Sequence, residues 1–178
     1  MTDTGDAPMD GTLAAIYLTA SLFDMSLNHC PQGCLARDAA PARLSVQAAD
    51  VIFQEDSIGQ ELYLGYDLDH VYGPFQSTVA LSMTDQGAGW AGLGVKSRFE
   101  IGQAGLFAEG SIMPGYHSAG DGPDLGGALQ IRSALGMGYE FGNGASLSVI
   151  YDHRSNAETQ ALNPGLETLS IRYQVALD

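Results

Sequence analysis

The chain reads as an all-β fold, an eight-stranded antiparallel up-and-down barrel with an extra N-terminal segment. Three observations predict this. Apolar and polar residues alternate in short runs from Arg43 to Val175, which is the period of a strand. Gly, Asn and Asp punctuate those runs at hairpin spacing, with 23 glycines among 178 residues. The residues opposite the apolar ones are often charged, which suits a closed polar lumen better than the wet face of a sandwich. Apolar outside and polar inside is the pattern of a barrel in an outer membrane. No apolar run is long enough for a transmembrane helix.

Residues 1–10 read as a disordered acidic tail, and 11–178 as a single barrel domain. The tail lacks the basic start of a secretory signal, and Thr12 to Phe23 is too interrupted for its apolar core. A leader already removed, or a misplaced start, is therefore expected ahead of export by another route. Thr12 to Met25 is expected as a strand, with Ile16, Leu18, Ala20 and Leu22 on one side. It falls outside the eight, as a ninth pairing partner, a short periplasmic element or a lumen plug. Cys30 and Cys34 flank Pro31-Gln32-Gly33. A metal site would need a second ligand pair, which is absent, so a small disulfide loop is the better reading and no metal is expected. A disulfide fits an oxidising compartment.

The eight strands begin near Arg43. Arg43 to Phe53 alternates weakly, while Glu61 to Asp69 sets Leu62, Leu64, Tyr66 and Leu68 on one face. Gly73-Pro74 marks a turn before Phe75 to Met83. Trp90 to Ile101 alternates Leu93, Val95, Phe99 and Ile101 with Gly94, Lys96, Arg98 and Glu100. Ala104 to Pro114 follows, with Glu109 inward, and then a Gly- and Asp-rich loop, Gly115 to Gly127. In Leu129 to Phe141 the inward set includes Arg132 and Glu140. Lys96, Arg98, Glu109, Arg132 and Glu140 are thus all expected inside. Asn143-Gly144 predicts a type I′ hairpin turn.

The last two strands carry the chemistry. In Ser146 to Ser155, Leu147, Val149 and Tyr151 share a face, and the same parity puts His153 and Ser155 beside them. After Asn163-Pro164-Gly165, alternation resumes with Glu167, Leu169, Ile171, Tyr173 and Val175 on one face. An antiparallel hairpin returns Glu167 to His153 and Ser155. Residues two apart on a strand stand roughly 6.5–7 Å apart on one side, so an imidazole can reach a seryl oxygen. The three residue types in that order are a nucleophile, its base and the acid that orients the base. Asp152 and Arg154 have lumen parity and are expected to pair there. His29, His70 and His117 lack such partners and read as loop residues.

His153-x-Ser155-Asn156-Ala157 followed by Asn163-Pro164-Gly165-x-Glu167 resembles the signature of the outer-membrane lipid A 3-O-deacylases. So do Asp124-Leu125-Gly126, Arg132 and Gly138-Tyr139-Glu140-Phe141 upstream. The resemblance is strongest from about Pro114 to Tyr173. It implies an eight-stranded barrel in the bacterial outer membrane, with His153, Ser155 and Glu167 catalytic and Asn156 an oxyanion donor. Where the family tends to have Gly after the Ser-Asn-Ala run, this chain has Glu158 and Thr159.

Charge excludes one class of partner. Seven Lys and Arg against 21 Asp and Glu give a net charge of −14, which does not suit nucleic acid. A site on the outer wall, flanked by Leu147, Val149, Tyr151, Leu169 and Ile171, can meet an acyl chain without extracting its lipid. The residues alone thus point to a lipid ester among membrane lipids, and the resemblance implies the 3-position acyl chain of the lipid A of lipopolysaccharide as substrate, with a homo-oligomer allowed and no cofactor required. The competing reading is a barrel of the same descent with an idle site, serving as a structural or binding component of an envelope assembly.

Overall fold

A computed structural model describes residues 11–177; the expected disordered tail, residues 1–10, lies outside them. Nine strands form one antiparallel sheet: β1 (Arg37–Ala39), β2 (Ala42–Phe53), β3 (Asp56–Tyr72), β4 (Phe75–Thr84), β5 (Gly89–Ile101), β6 (Leu106–Ser118), β7 (Leu129–Glu140), β8 (Ala145–Ser155) and β9 (Leu166–Leu177). β2 to β9 pair in sequence order, and β9 returns to β2, which closes an eight-stranded barrel. The short β1 adds to the end of β3. The expected fold class is borne out.

β2 to β9 follow the two-residue period, with most of the apolar side chains outward. Leu62, Leu64, Leu81, Leu93, Met137, Val149 and Ile171 stand exposed on the outer wall. The lumen is filled by paired charges instead of an aqueous channel. Arg132 bridges Glu61 at 2.8 Å and Asp152 at 2.7 Å, and Arg154 reaches Glu61 at 2.7 Å. Lys96 lies between Asp67 and Glu109, at 3.0 and 2.8 Å, and Arg172 meets Glu109 at 3.3 Å. Tyr63 and Trp90 present ring faces to Arg132. Buried charges survive only with such partners, and here four cations face four carboxylates. Arg98 and Glu140 pair at 2.9 Å nearer the short-turn end, where Arg43 joins them.

The two ends differ. At one, β3–β4, β5–β6 and β7–β8 are joined by the short connections 73–74, 102–105 and 141–144. At the other, β6–β7 and β8–β9 cross through the longer segments 119–128 and 156–165. Leu125 of the first long loop folds onto Val51 and Leu166 as a small apolar stopper at that end.

Three expectations are corrected. Thr12 to Met25 is a helix: α1 spans Thr12–Asp24 and runs on through a wider turn to His29. Its apolar residues sit all round the axis, so a strand-like alternation can be picked out of a segment rich in Ala and Leu, both good helix formers. It lies on the outer wall, so it is neither a strand nor a lumen plug. Asn143-Gly144 is not type I′, because only Gly144 has positive φ, +78°. The Gly144 N–H donates to the Phe141 carbonyl, and the Asn143 side chain accepts from Ala145 N–H. That is an ordinary turn followed by a left-handed glycine, the common three-residue alternative. His117 is no loop residue: it is buried on the lumen side of β6, opposite Trp90. His70 lies on β3 beside Asp69, and His29 ends the helical segment with its ring 3.2 Å from the Asp24 carboxylate.

Cys30 and Cys34 are joined as a disulfide. The loop they close rests on the β3–β4 turn, where Gly73 at φ +55° leaves room for the Cys34 carbonyl.

Candidate active site

The β8–β9 register sets His153 directly opposite Glu167. Their side chains meet, with His153 Nδ1 2.9 Å from Glu167 Oε1. Ser155 is two residues further along β8 and so on the same side, one step toward the long-loop end. That side is the outer wall. Asp152 and Arg154, the intervening residues, turn into the lumen and pair with Arg132 and Glu61 as expected. Those two inward pairs fix the strand's rotation and hence the outward aim of His153 and Ser155.

Below the pair, Leu147, Val149, Leu169 and Ile171 are exposed. His153 and Ser155 are not: they are only 5% and 7% exposed. The 156–165 loop closes over them. Gly165, at φ +73°, lies against the imidazole, and a Cβ there would sit 2.7 Å from His153 Cε1. Only a residue without a side chain lets the returning chain pass so close. The sequence marks Gly165 as a turn residue and carries no local signal of its role as the imidazole's seat.

Asn156 follows Ser155 and is almost wholly buried. Its Nδ2 donates to the carbonyls of Leu125 and Leu162, at 3.1 and 2.6 Å, and its backbone N–H donates to Asn163 Oδ1 at 2.9 Å. One amide thus holds the two long loops together. To serve as an oxyanion donor, as the resemblance implies, Nδ2 would have to release one of those carbonyls. The Asp124-Leu125-Gly126 run belongs to the same clasp. Asp124 Oδ1 accepts from Gly126 N–H at 2.9 Å, and a Cβ on Gly126, at φ +80°, would run into the Leu162 carbonyl. Ala157 and Glu158 are both left-handed, at φ +52° and +59°. That is why a glycine suits this stretch, and Glu158 occupies it here at a conformational cost.

Among the described residues no group of three or more His, Cys, Asp or Glu could hold a metal ion. The arrangement offers a hydroxyl, an imidazole and a carboxylate on a wall facing hydrocarbon. The family model for lipid A 3-O-deacylase (PagL) matches residues 44–176. The chain belongs to the PagL family. Its fold is similar to that of the outer-membrane enzyme PagL in a crystal structure, with a TM-score of 0.64 at 21% identity over 76% of this chain and 99% of that one. Neisserial surface protein A also shares the fold, with a TM-score of 0.53 at 12% identity over 80% of this chain and 99% of the other. A designed transmembrane β-barrel is similar too, at 0.54 and 12% identity over 78% of this chain and 98% of that one. No curated protein sequence matches the chain. This PagL-family chain is therefore an outer-membrane barrel whose family activity is lipid A deacylation. His153, Glu167 and Asn156 fall within the matched segment, as does Ser155; α1 and the disulfide loop do not.

Proposed function

We propose that this protein hydrolyses the ester-linked acyl chain at the 3-position of lipid A, with Ser155 as nucleophile, His153 as base and Glu167 as the orienting acid. The carrying observation is the 2.9 Å contact between His153 Nδ1 and Glu167 Oε1, on the outward face that also bears Ser155. A carboxylate on Nδ1 leaves Nε2 as the basic nitrogen and stabilises the imidazolium that forms. His153 takes the Ser155 hydroxyl proton as Oγ bonds to the acyl carbonyl carbon. The tetrahedral centre then expels the sugar oxygen, which receives that proton from His153. Water, deprotonated by the same imidazole, releases the fatty acid and frees Ser155.

The location matches the substrate. Membrane barrels carry their longer loops outside the cell, so the site faces the outer leaflet at the upper edge of the apolar wall. A lipid presents its ester there while its chains remain among other chains. The packed lumen has no room for a diffusible ligand to reach chemistry by another route. Asn156 we assign first to holding the loops closed over His153 and Ser155, with donation to the oxyanion as its second role.

The experiment is mass spectrometry of lipid A incubated in detergent with wild-type protein and with Ser155→Ala. Loss of one 3-linked acyl chain with the wild type alone supports the assignment. Intact lipid A with folded wild type points to the idle barrel.

A further inference from the structure

Helix α1 precedes the matched family segment, which starts at residue 44, and it is seated on the wall that faces lipid. Its seat is one row across the sheet, Ser97, Gly110 and Leu135, each the register partner of the next. Tyr17 is fully buried against that row. The hydroxyls of Tyr17 and Ser21 both lie 3.1 Å from Ser97 Oγ. Gly110 makes the room: a Cβ there would fall 2.5 Å from Tyr17 Cδ2. Ser97 stands between Val95 and Phe99 in the apolar band, where hydrocarbon would leave a hydroxyl unsatisfied. The helix satisfies it, which sets α1 at the depth of the bilayer core. Its flanks are hydrocarbon on both sides, with Ile16 and Phe23 on one and Leu18 and Leu22 on the other, all exposed.

The same row continues from Leu135 to Tyr151, directly below His153 on β8. α1 packs over both β6 and β7, and neighbouring strands are about 4.8 Å apart, so β8 runs roughly 7 Å from the middle of the seat. A helix with its side chains has a radius of roughly 5–6 Å. The helix flank therefore reaches the edge of β8, with Tyr151 and Val149 beside it. On a convex wall a single helix makes a step, and His153 and Ser155 stand at the head of it.

We propose that α1 is one bank of a groove for the acyl chain being cut, with Tyr151 and Val149 as its floor, and that this bank sets the preferred chain length. The inference rests on the deacylase reading above. It explains why an apolar helix outside the family segment is keyed so closely to the wall beside the site. The helix offers the chain a fixed surface where bilayer lipid would offer a fluid one.

The test displaces the bank without touching the site. Gly110→Leu pushes Tyr17 off its seat, and Tyr17→Ala with Ser21→Ala removes the key from the helix side. Hydrolysis is measured on esters with acyl chains of four to sixteen carbons, roughly from a fraction of the length of α1 up to its full length at about 1.5 Å per residue. Both variants should lose about tenfold in kcat/KM on the longest esters, through KM, and keep the wild-type rate on the shortest. In a Ser155→Ala background, where nothing is turned over, the Gly110→Leu change should weaken lipid A binding by about tenfold. An unchanged length profile with unchanged lipid A binding would overturn the groove. Wild-type protein that cuts no ester, while Gly110→Leu still weakens binding, would leave the groove standing and remove the esterase.

Discussion

Gly165→Ala tests the site's geometry with one methyl group. The added Cβ would lie 2.7 Å from His153 Cε1 and 3.6 Å from Glu167 Oε1. Carbon atoms in contact prefer roughly 3.5–4.0 Å, so the imidazole must retreat by about 1 Å. Its Nδ1 is held 2.9 Å from Glu167, so the displacement is transmitted to the other nitrogen, the one proposed to take the Ser155 proton. A misplacement of about 1 Å in a catalytic group can lower the rate about a hundredfold. The substitution also strains the backbone, because φ is +73° and a left-handed L-residue costs about 1–2 kcal/mol. Gly144→Ala separates the two effects. Gly144 has φ +78° at the far end of the barrel, and its Cβ would meet only Ala176 Cβ, at 3.7 Å. Both variants should lose similar stability in thermal unfolding, and only Gly165→Ala should lose about two orders of magnitude in lipid A deacylation. Full activity in Gly165→Ala would refute the assignment of His153 as the base at this position.

Three further outcomes follow from the same contacts. Asn156→Ala leaves two buried carbonyls without their donor, at about 1–3 kcal/mol in total or more, so unfolding temperature and rate should fall together; a rate loss of about a hundredfold or more at unchanged stability would make the amide an oxyanion donor first. Glu61→Leu strips the carboxylate from both Arg132 and Arg154; leaving buried charge uncompensated should destabilise the barrel by about 3–5 kcal/mol, read by urea unfolding, with little loss resulting if water enters the lumen. Four of the seven basic residues are held in the lumen, Arg43 and Arg98 pair with Glu140, and Arg37 lies on β1 near the short-turn end. On the proposed deacylase reading, the long-loop end presents carboxylates such as Asp121 and Asp124 to the phosphates of lipid A, and added Mg²⁺ should raise the deacylation rate by screening; a rate that falls with Mg²⁺ would contradict this.

Much of this was legible from periodicity. The strict alternation of Leu147, Val149 and Tyr151 predicts the outward aim of His153 and Ser155, and parity alone assigns Asp152 and Arg154 to the lumen. Register then follows from the hairpin, and Glu167 arrives opposite His153. What was not legible depends on contacts that carry no period. Thr12–Asp24 is apolar on every side, so its pattern does not choose between helix and strand; the seat made by Gly110 decides. Gly165 reads as a turn glycine, and nothing local says that an imidazole rests on it. Asn156 beside Ser155 suggests chemistry, yet its amide is engaged by Leu125, thirty-one residues away in sequence. His117 looks isolated in the chain and is buried because β6 extends to Ser118, beyond where its alternation fades.

The central claim is that Ser155 cuts a lipid A ester with His153 and Glu167. It is tested most directly by trapping the acyl-enzyme. Lipid A is mixed with wild-type protein, the reaction is quenched in acid within the first turnover, and the intact protein is weighed. Nucleophilic attack by Ser155 predicts an added mass of one 3-linked acyl chain, mapped by peptide sequencing to Ser155, and absent in Ser155→Ala. Deacylated lipid A formed at the wild-type rate by Ser155→Ala, or an acyl group mapped to any other residue, would contradict it.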